Sequence, residues 1–268
     1  VIEDSTFTHC GWDGTSAGTE DKTGYQNLWH SSFTSSGGAM RLRNSAQVTV
    51  QRNTASVNLR GLRIQDVEGG LIAENTAYNN IESGIYLASG TYEGDQGSHD
   101  MTVLDNVVYD NKNNGILVIG GYNNNLQNNT VRDNYNAGIQ TWHTVGLTID
   151  SNTVSGNNHK TYNGVGNDGD AWAAFVSIDG LTNTNSAVSY ITHITGNTFS
   201  GTVHAGRNSP AVGVRQNTPT TVNNLGACEH SAVTLQADNV FTQTSSYILV
   251  ECITPQGTTT DAFVPPTP

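Results

Sequence analysis

Lysine is scarce in this chain. Lys22, Lys112 and Lys160 are its only lysines, and the formal net charge is −12 over 268 residues. A nucleic-acid backbone would find no basic stripe to displace its counterions, which argues against nucleic acid as a partner. No apolar run approaches the ~20 residues that a membrane-crossing helix needs, so no membrane span is expected. No charged segment followed by an apolar one opens the chain, which as given reads as soluble. It begins at Val1 rather than at Met, so an upstream segment is expected to have been removed or to lie outside this sequence.

Several chemical signatures are missing as well. The histidines, His9, His30, His99, His143, His159, His193, His204 and His230, show no close metal-ligand spacing, which speaks against zinc. No Gly-x-Ser-x-Gly stands at a strand-to-helix turn, as a serine hydrolase would require. Charged residues make up only 13% and hydrophobic ones 35% of the chain. Such a composition points toward disorder unless the apolar residues recur at regular spacing.

Regular spacing is what the chain has. The segment VLDNVV at 103–108 returns as LQNNTV at 126–131 and as IDSNTV at 149–154. Asn106, Asn129 and Asn152 follow one another at steps of 23 residues, and a fixed period in the twenties signals a solenoid of stacked coils. The apolar position three residues earlier reads Ile2, Leu28, Val50, Ile72, Val103, Leu126, Ile149, Ile194, Leu235. The repeated position itself reads Ser5, Ser31, Asn53, Asn75, Asn106, Asn129, Asn152, Asn197, Asp238, and the one two residues later Phe7, Phe33, Ala55, Ala77, Val108, Val131, Val154, Phe199, Val240.

Strand geometry puts odd and even spacings on opposite faces, so apolar columns on both sides place the repeated residue at a bend. Asn tolerates such a bend, and its amide can bond to its equivalent one coil away. The column is therefore read as a structural ladder. A second strand follows 9 or 10 residues on, at Met40, Leu62, Ile85, Ile116 and Ile139, and is often opened by glycine. The expected fold is all-β, a parallel β-helix of about nine coils of 22–23 residues spanning residues 1–253.

Longer steps mark insertions. The step from Asn75 to Asn106 is 31 residues, that from Asn152 to Asn197 is 45 and that from Asn197 to Asp238 is 41. The last two are each close to two periods, but no second triplet is visible in them, and insertions are preferred over hidden coils. Residues 254–268 read as a Pro/Thr-rich linker or tail. Since Ile2 already occupies a core column, upstream coils, a cap or a second subunit are expected to cover the first coil. Cys228 and Cys252 lie 24 residues apart, which suits a disulfide between adjacent coils and a secreted or cell-surface protein, while Cys10 has no evident partner.

The repeated apolar-x-x-Asn-Thr-Val followed by Gly-Ile resembles the right-handed parallel β-helix proteins of the pectin-lyase-like superfamily. It is most similar to the short-coil group that includes alginate lyases, mannuronan epimerases and many phage and surface proteins. The resemblance covers nearly the whole chain and implies a right-handed coil and a polysaccharide as partner. The Asp-Pro-His triplet of the epimerases is absent, and no lysine lies on the second-strand columns where the lyases of this fold pair Lys with Arg.

With Met40, Leu62, Ile85, Ile116 and Ile139 inward, Arg41, Arg63, Tyr86, Leu117 and Gln140 are expected to point out. Two residues on, the outward column reads Arg43, Gln65, Ala88, Ile119, Trp142. Arginine forks bind carboxylate or sulfate, and aromatic rings stack on sugar faces. A lyase for a uronate polymer needs a cation for the carboxylate, a base, and an acid for the leaving oxygen. Arg63, Tyr86, His143 and His99 are the candidate catalytic residues, and Arg41, Arg43, Gln140, Trp142, Trp172 and Lys160 the candidate substrate contacts.

Glycoside hydrolysis ranks lower, because Asp66, Asp100, Asp168, Asp170 and Asp179 do not fall in the middle of the outward columns. Glu93, Asp95, Asp168 and Asp170 cluster hard oxygens around glycines as Ca2+ loops do, without the full EF-hand spacing. A non-catalytic carbohydrate-binding or adhesin module and a structural fibre segment are the competing classes.

Overall fold

The computed structural model describes residues 1–8, 39–89, 97–142, 144, 146–157, 176–179, 190–200, 210–217, 231–235, 238–242, 246–254 and 257–263. Every regular element among them is a β-strand, and with one exception neighbouring strands run parallel. Each full coil has three sides. Ile85–Ala88, Ile116–Ile119 and Ile139–Trp142 stack on the first face, His99–Leu104, Asn125–Gln127 and Leu147–Asp150 on the second, and Thr76–Tyr78, Val107–Tyr109 and Thr130–Arg132 on the third. Met40–Gln51 and Leu62–Ala73 run unbroken from the first face to the second.

The core is the inside of this prism. Leu62, Ile85, Ile116 and Ile139 from the first face, Val103, Leu126 and Ile149 from the second, and Val108, Val131 and Val154 from the third are all fully buried. Removing such a side chain from water stabilises by roughly 1.5–3 kcal/mol each.

The Asn column forms the expected ladder. The Oδ1 of Asn129 accepts from the backbone N–H of Asn106 at 3.0 Å and from its Nδ2 at 2.9 Å, while the Nδ2 of Asn129 donates to the Val103 carbonyl at 2.9 Å. Asn75, Asn106, Asn152 and Asn197 repeat the pattern. The bend itself falls one residue earlier, at Arg52, Glu74, Asp105, Asn128 and Ser151, all with φ between 54° and 55°. The 31-residue and 45-residue steps are insertions, since Asn75 bonds directly to Asn106 and Asn152 to Asn197.

The register departs from the sequence reading in three places. First, Ile2 pairs with Val50 and the Ser5 N–H donates to Asn53 Oδ1 across 48 residues, so no coil carrying Leu28, Ser31 and Phe33 lies between these rows. Those three residues are outside the described set, and among the described residues the third face stacks eight strands. Second, the last rung is Asn239, not Asp238: Asn197 donates to Asn239 Oδ1 from N and Nδ2, both at 3.0 Å. Leu235 still pairs with Ile194, but one extra residue in the turn pairs Phe241 with Phe199 and leaves Val240 51% exposed. The chemistry favours Asn, because Asn239 Nδ2 also donates to the Ile194 carbonyl, which a carboxylate cannot do. Third, the tail is not simply an extended linker, since Gly257–Phe263 folds back antiparallel along Ser246–Thr254.

A second ladder has no counterpart in the sequence reading. Asn58, Asn80, Asn111, Asn134 and Asn157 follow the first ladder by five residues. Each donates from its Nδ2 to a carbonyl of the preceding row, as Asn134 does to Val108 at 3.2 Å. The two ladders fix the corners at either end of the third face.

Candidate anion site on the first face

The first face carries the predicted columns in the predicted register. Arg41 pairs with Arg63, Arg63 with Tyr86, Tyr86 with Leu117 and Leu117 with Gln140. Beside them, Arg43 pairs with Gln65 and Gln65 with Ala88, and further along Ile119 pairs with Trp142.

The middle of the face is not an open groove. Tyr86, Ala88, Leu117 and Ile119 are all buried and form an apolar cluster separate from the core inside the coils. Tyr86 is 7% exposed and so offers no ring face to a sugar. Gln140 is half-buried and accepts from Asn114 Nδ2 at 2.6 Å.

Among the described side chains of this face, exposed charged groups lie at the arginine end. Arg41 donates from Nη2 to Gln65 Oε1 at 2.9 Å, and Gln65 in turn donates to Asp66 at 3.1 Å. The exposed Arg43 lies 3.7 Å from Asp66. Arg60 donates from Nε and Nη2 to the Glu82 carboxylate, a two-pronged pair. The Arg60 and Arg63 guanidinium carbons stand 5.9 and 5.5 Å from the Tyr86 ring centroid.

Arg63 is the exception in this group. It has no carboxylate partner among the described residues, and its Nε is buried without a hydrogen bond. Burial, reinforced by the like charges of Arg60 and Arg41, holds its proton affinity below the usual arginine value. A half-buried cation whose Nε wants an acceptor, between two other cations, is an arrangement that takes up an anion.

Arg60 and Glu82 were not among the predicted site residues; the available signal is that Arg60 stands three residues before Arg63 and precedes the strand-opening Gly61. Asp179 lies on the same sheet as the candidate columns. Val176–Asp179 pairs with Ile139–Trp142, so Asp179 shares a register position with Trp142, followed by Arg215 and Glu251. The preceding insertion concealed this strand from a count of coils.

His99 stands apart, past the corner on the second face. Its Nδ1 lies 2.9 Å from Asp100 Oδ2, and its ring stacks on Tyr122 at 4.3 Å. Because a carboxylate only accepts, Nδ1 carries the proton in this pair. The hydrogen bond from His99, with a further one from Asn123, holds the Asp100 carboxyl below the usual carboxylate range.

His143, Lys160, Trp172, Glu93, Asp95, Asp168 and Asp170 lie outside the described residues, as do Cys10 and Cys228. Among the described residues no group of three or more His, Cys, Asp or Glu side chains can hold a metal ion, and no helix is long and apolar enough to cross a membrane.

The family comparison agrees with the architecture. The family model for the right handed beta helix region matches residues 1–158, and that for the periplasmic copper-binding protein NosD matches residues 96–227. No curated protein matches. Among solved structures, the A-module of the Azotobacter vinelandii mannuronan C-5 epimerase AlgE4 is 15% identical, with a TM-score of 0.42 over 76% of this chain and 62% of that one. The AlgE6 A-module of the same organism is also 15% identical, with a TM-score of 0.40 over 76% of this chain and 64% of the module. A double mutant of the periplasmic alginate epimerase AlgG is 11% identical, with a TM-score of 0.45 over 77% of this chain and 46% of that one. The chain thus spans less than two thirds of the length of each of these structures.

Proposed function

The chain belongs to the right-handed β-helix region family, and we propose that it is a polysaccharide-active member that cleaves a uronate-bearing polymer by β-elimination. The observation that carries this reading is Arg63, half-buried and without a carboxylate partner among the described residues, paired across adjacent strands with Arg41. A uronate carboxylate seated on these guanidiniums loses much of its charge, which acidifies the proton on the adjoining carbon. A base removes that proton, the carbon–oxygen bond to the next sugar breaks, and an acid protonates the departing oxygen as the double bond forms. Tyr86, against which Arg63 lies, is the proton carrier in this reading, with His143 as the alternative.

Incubation with alginate and pectate tests the proposal through the ultraviolet absorbance of the conjugated product. Arg63→Ala is expected to lower the rate by about 100-fold or more, and Tyr86→Phe likewise; unchanged turnover in both sinks the assignment. Binding without turnover is the second reading, favoured by the burial of Tyr86. In that case the protein is retained on insoluble polysaccharide and releases no product.

Either reading places the protein outside the cytoplasm, secreted or at the cell surface. The periplasmic NosD family and the periplasmic AlgG are compatible with that location. Calcium binding by Glu93, Asp95, Asp168 and Asp170 belongs to the same proposal. It is checked by a chelator, which lowers Tm if the loops hold the ion and leaves it unmoved if they do not.

A further inference from the structure

We propose that Glu82 is a specificity-determining residue that restricts the site to polymers bearing carboxylate as their only anionic group. This rests on the reading that Arg63 and Arg41 receive the uronate. The described arginine end of the face carries four guanidiniums, Arg41, Arg43, Arg60 and Arg63, and carboxylates engage two of them: Glu82 takes both prongs of Arg60, and Asp66 faces Arg43. Arg41 bonds to the neutral Gln65, and Arg63 has no hydrogen bond at Nε. Among the described residues of this end, the guanidiniums without a carboxylate partner are therefore Arg41 and Arg63, on neighbouring strands ~4.8 Å apart. That spacing lets two forks bracket one carboxylate.

Arg60 lies on the same Tyr86 ring as Arg63 and would otherwise offer a third fork. A sulfated uronate carries the additional anionic group that a third fork would accept. Glu82 both occupies that fork and repels the added negative charge, and such repulsion is how binding sites reject near-cognate ligands. The pair is half-buried, with side-chain exposures of 19% for Arg60 and 29% for Glu82, so water screens it only partly.

The test measures binding of polygalacturonate and of the same polymer after chemical sulfation, by affinity electrophoresis at fixed ionic strength. Glu82→Gln is expected to raise the ratio of sulfated to unsulfated binding roughly tenfold, the scale of one charge-assisted hydrogen-bonded pair. The double variant Arg60→Gln with Glu82→Gln removes the freed fork and is expected to restore the wild-type ratio, which a merely structural role for Glu82 would not produce. Should Glu82→Gln fail to fold, Glu82→Asp, which keeps the charge but shortens its reach, is expected to raise the ratio partway. A ratio unchanged in every folded Glu82 variant, while Arg63→Ala still loses both polymers, overturns the role of Glu82 alone. If Arg63→Ala binds both polymers like the wild type, the reading of the site itself fails.

Discussion

At the scale of single residues, the ladder positions and the arginines follow opposite rules. A ladder asparagine is fully satisfied: Asn129 accepts twice from Asn106, and donates to Asn152 and to the Val103 carbonyl. Asn129→Ala strands a buried N–H, an amide and a carbonyl on its neighbours. It is expected to cost about 3–5 kcal/mol in urea unfolding, well above a typical surface substitution. Arg63, by contrast, is left wanting by the fold, as functional positions often are.

Asp100 supplies a test of pH dependence at the same scale. Its carboxyl is depressed in the folded state, so the stability it adds is present above the ordinary carboxylate pKa of ~3.9 and is lost as pH falls through the lowered folded value. An NMR titration is expected to place Asp100 below the other exposed carboxylates and to show it moving back toward them in His99→Ala. A titration unchanged by that substitution would show that His99 is not the cause.

At the scale of the elements, close stacking makes each strand-opening glycine a matter of space. A Cβ on Gly115 would stand 2.4 Å from Val131 Cγ1 and 2.6 Å from the Gly138 carbonyl oxygen. Gly115→Ala is expected to destabilise by about 1–3 kcal/mol, read as a fall in Tm with the strand signal in circular dichroism retained.

What the sequence disclosed about these elements follows from what repeats. The period, the first ladder and the register from Arg41 to Gln140 are visible because each row places the same residue type at the same offset. The Ser31 row imitated that pattern inside an insertion, and a one-residue slip disguised Asn239 as Asp238. The second ladder was equally regular, five residues on, but lay in the turn between recognisable strands. Burial of Tyr86 and Leu117 could not be read from alternation, which tells which side of a strand a residue takes and not what lies over it.

At the scale of the whole molecule, the described coils form a rod on the order of 35 Å long, held by two internal amide ladders and parallel sheets, with each coil bonded to its neighbours. Its interior is committed to stacking, which leaves chemistry to the faces and the insertions. Among the described residues, positive charge without a carboxylate partner gathers at Arg41 and Arg63 on a chain of net charge −12, so an acidic polymer is repelled by the net charge and attracted at this pair.

The most direct test of this account is the ultraviolet absorbance of alginate and pectate solutions incubated with the wild-type chain and with Arg63→Ala. Absorbance from a conjugated product is expected to grow with at least one polymer, and to be lost in the variant while the variant melts like the wild type. Equal absorbance growth from both proteins would contradict it.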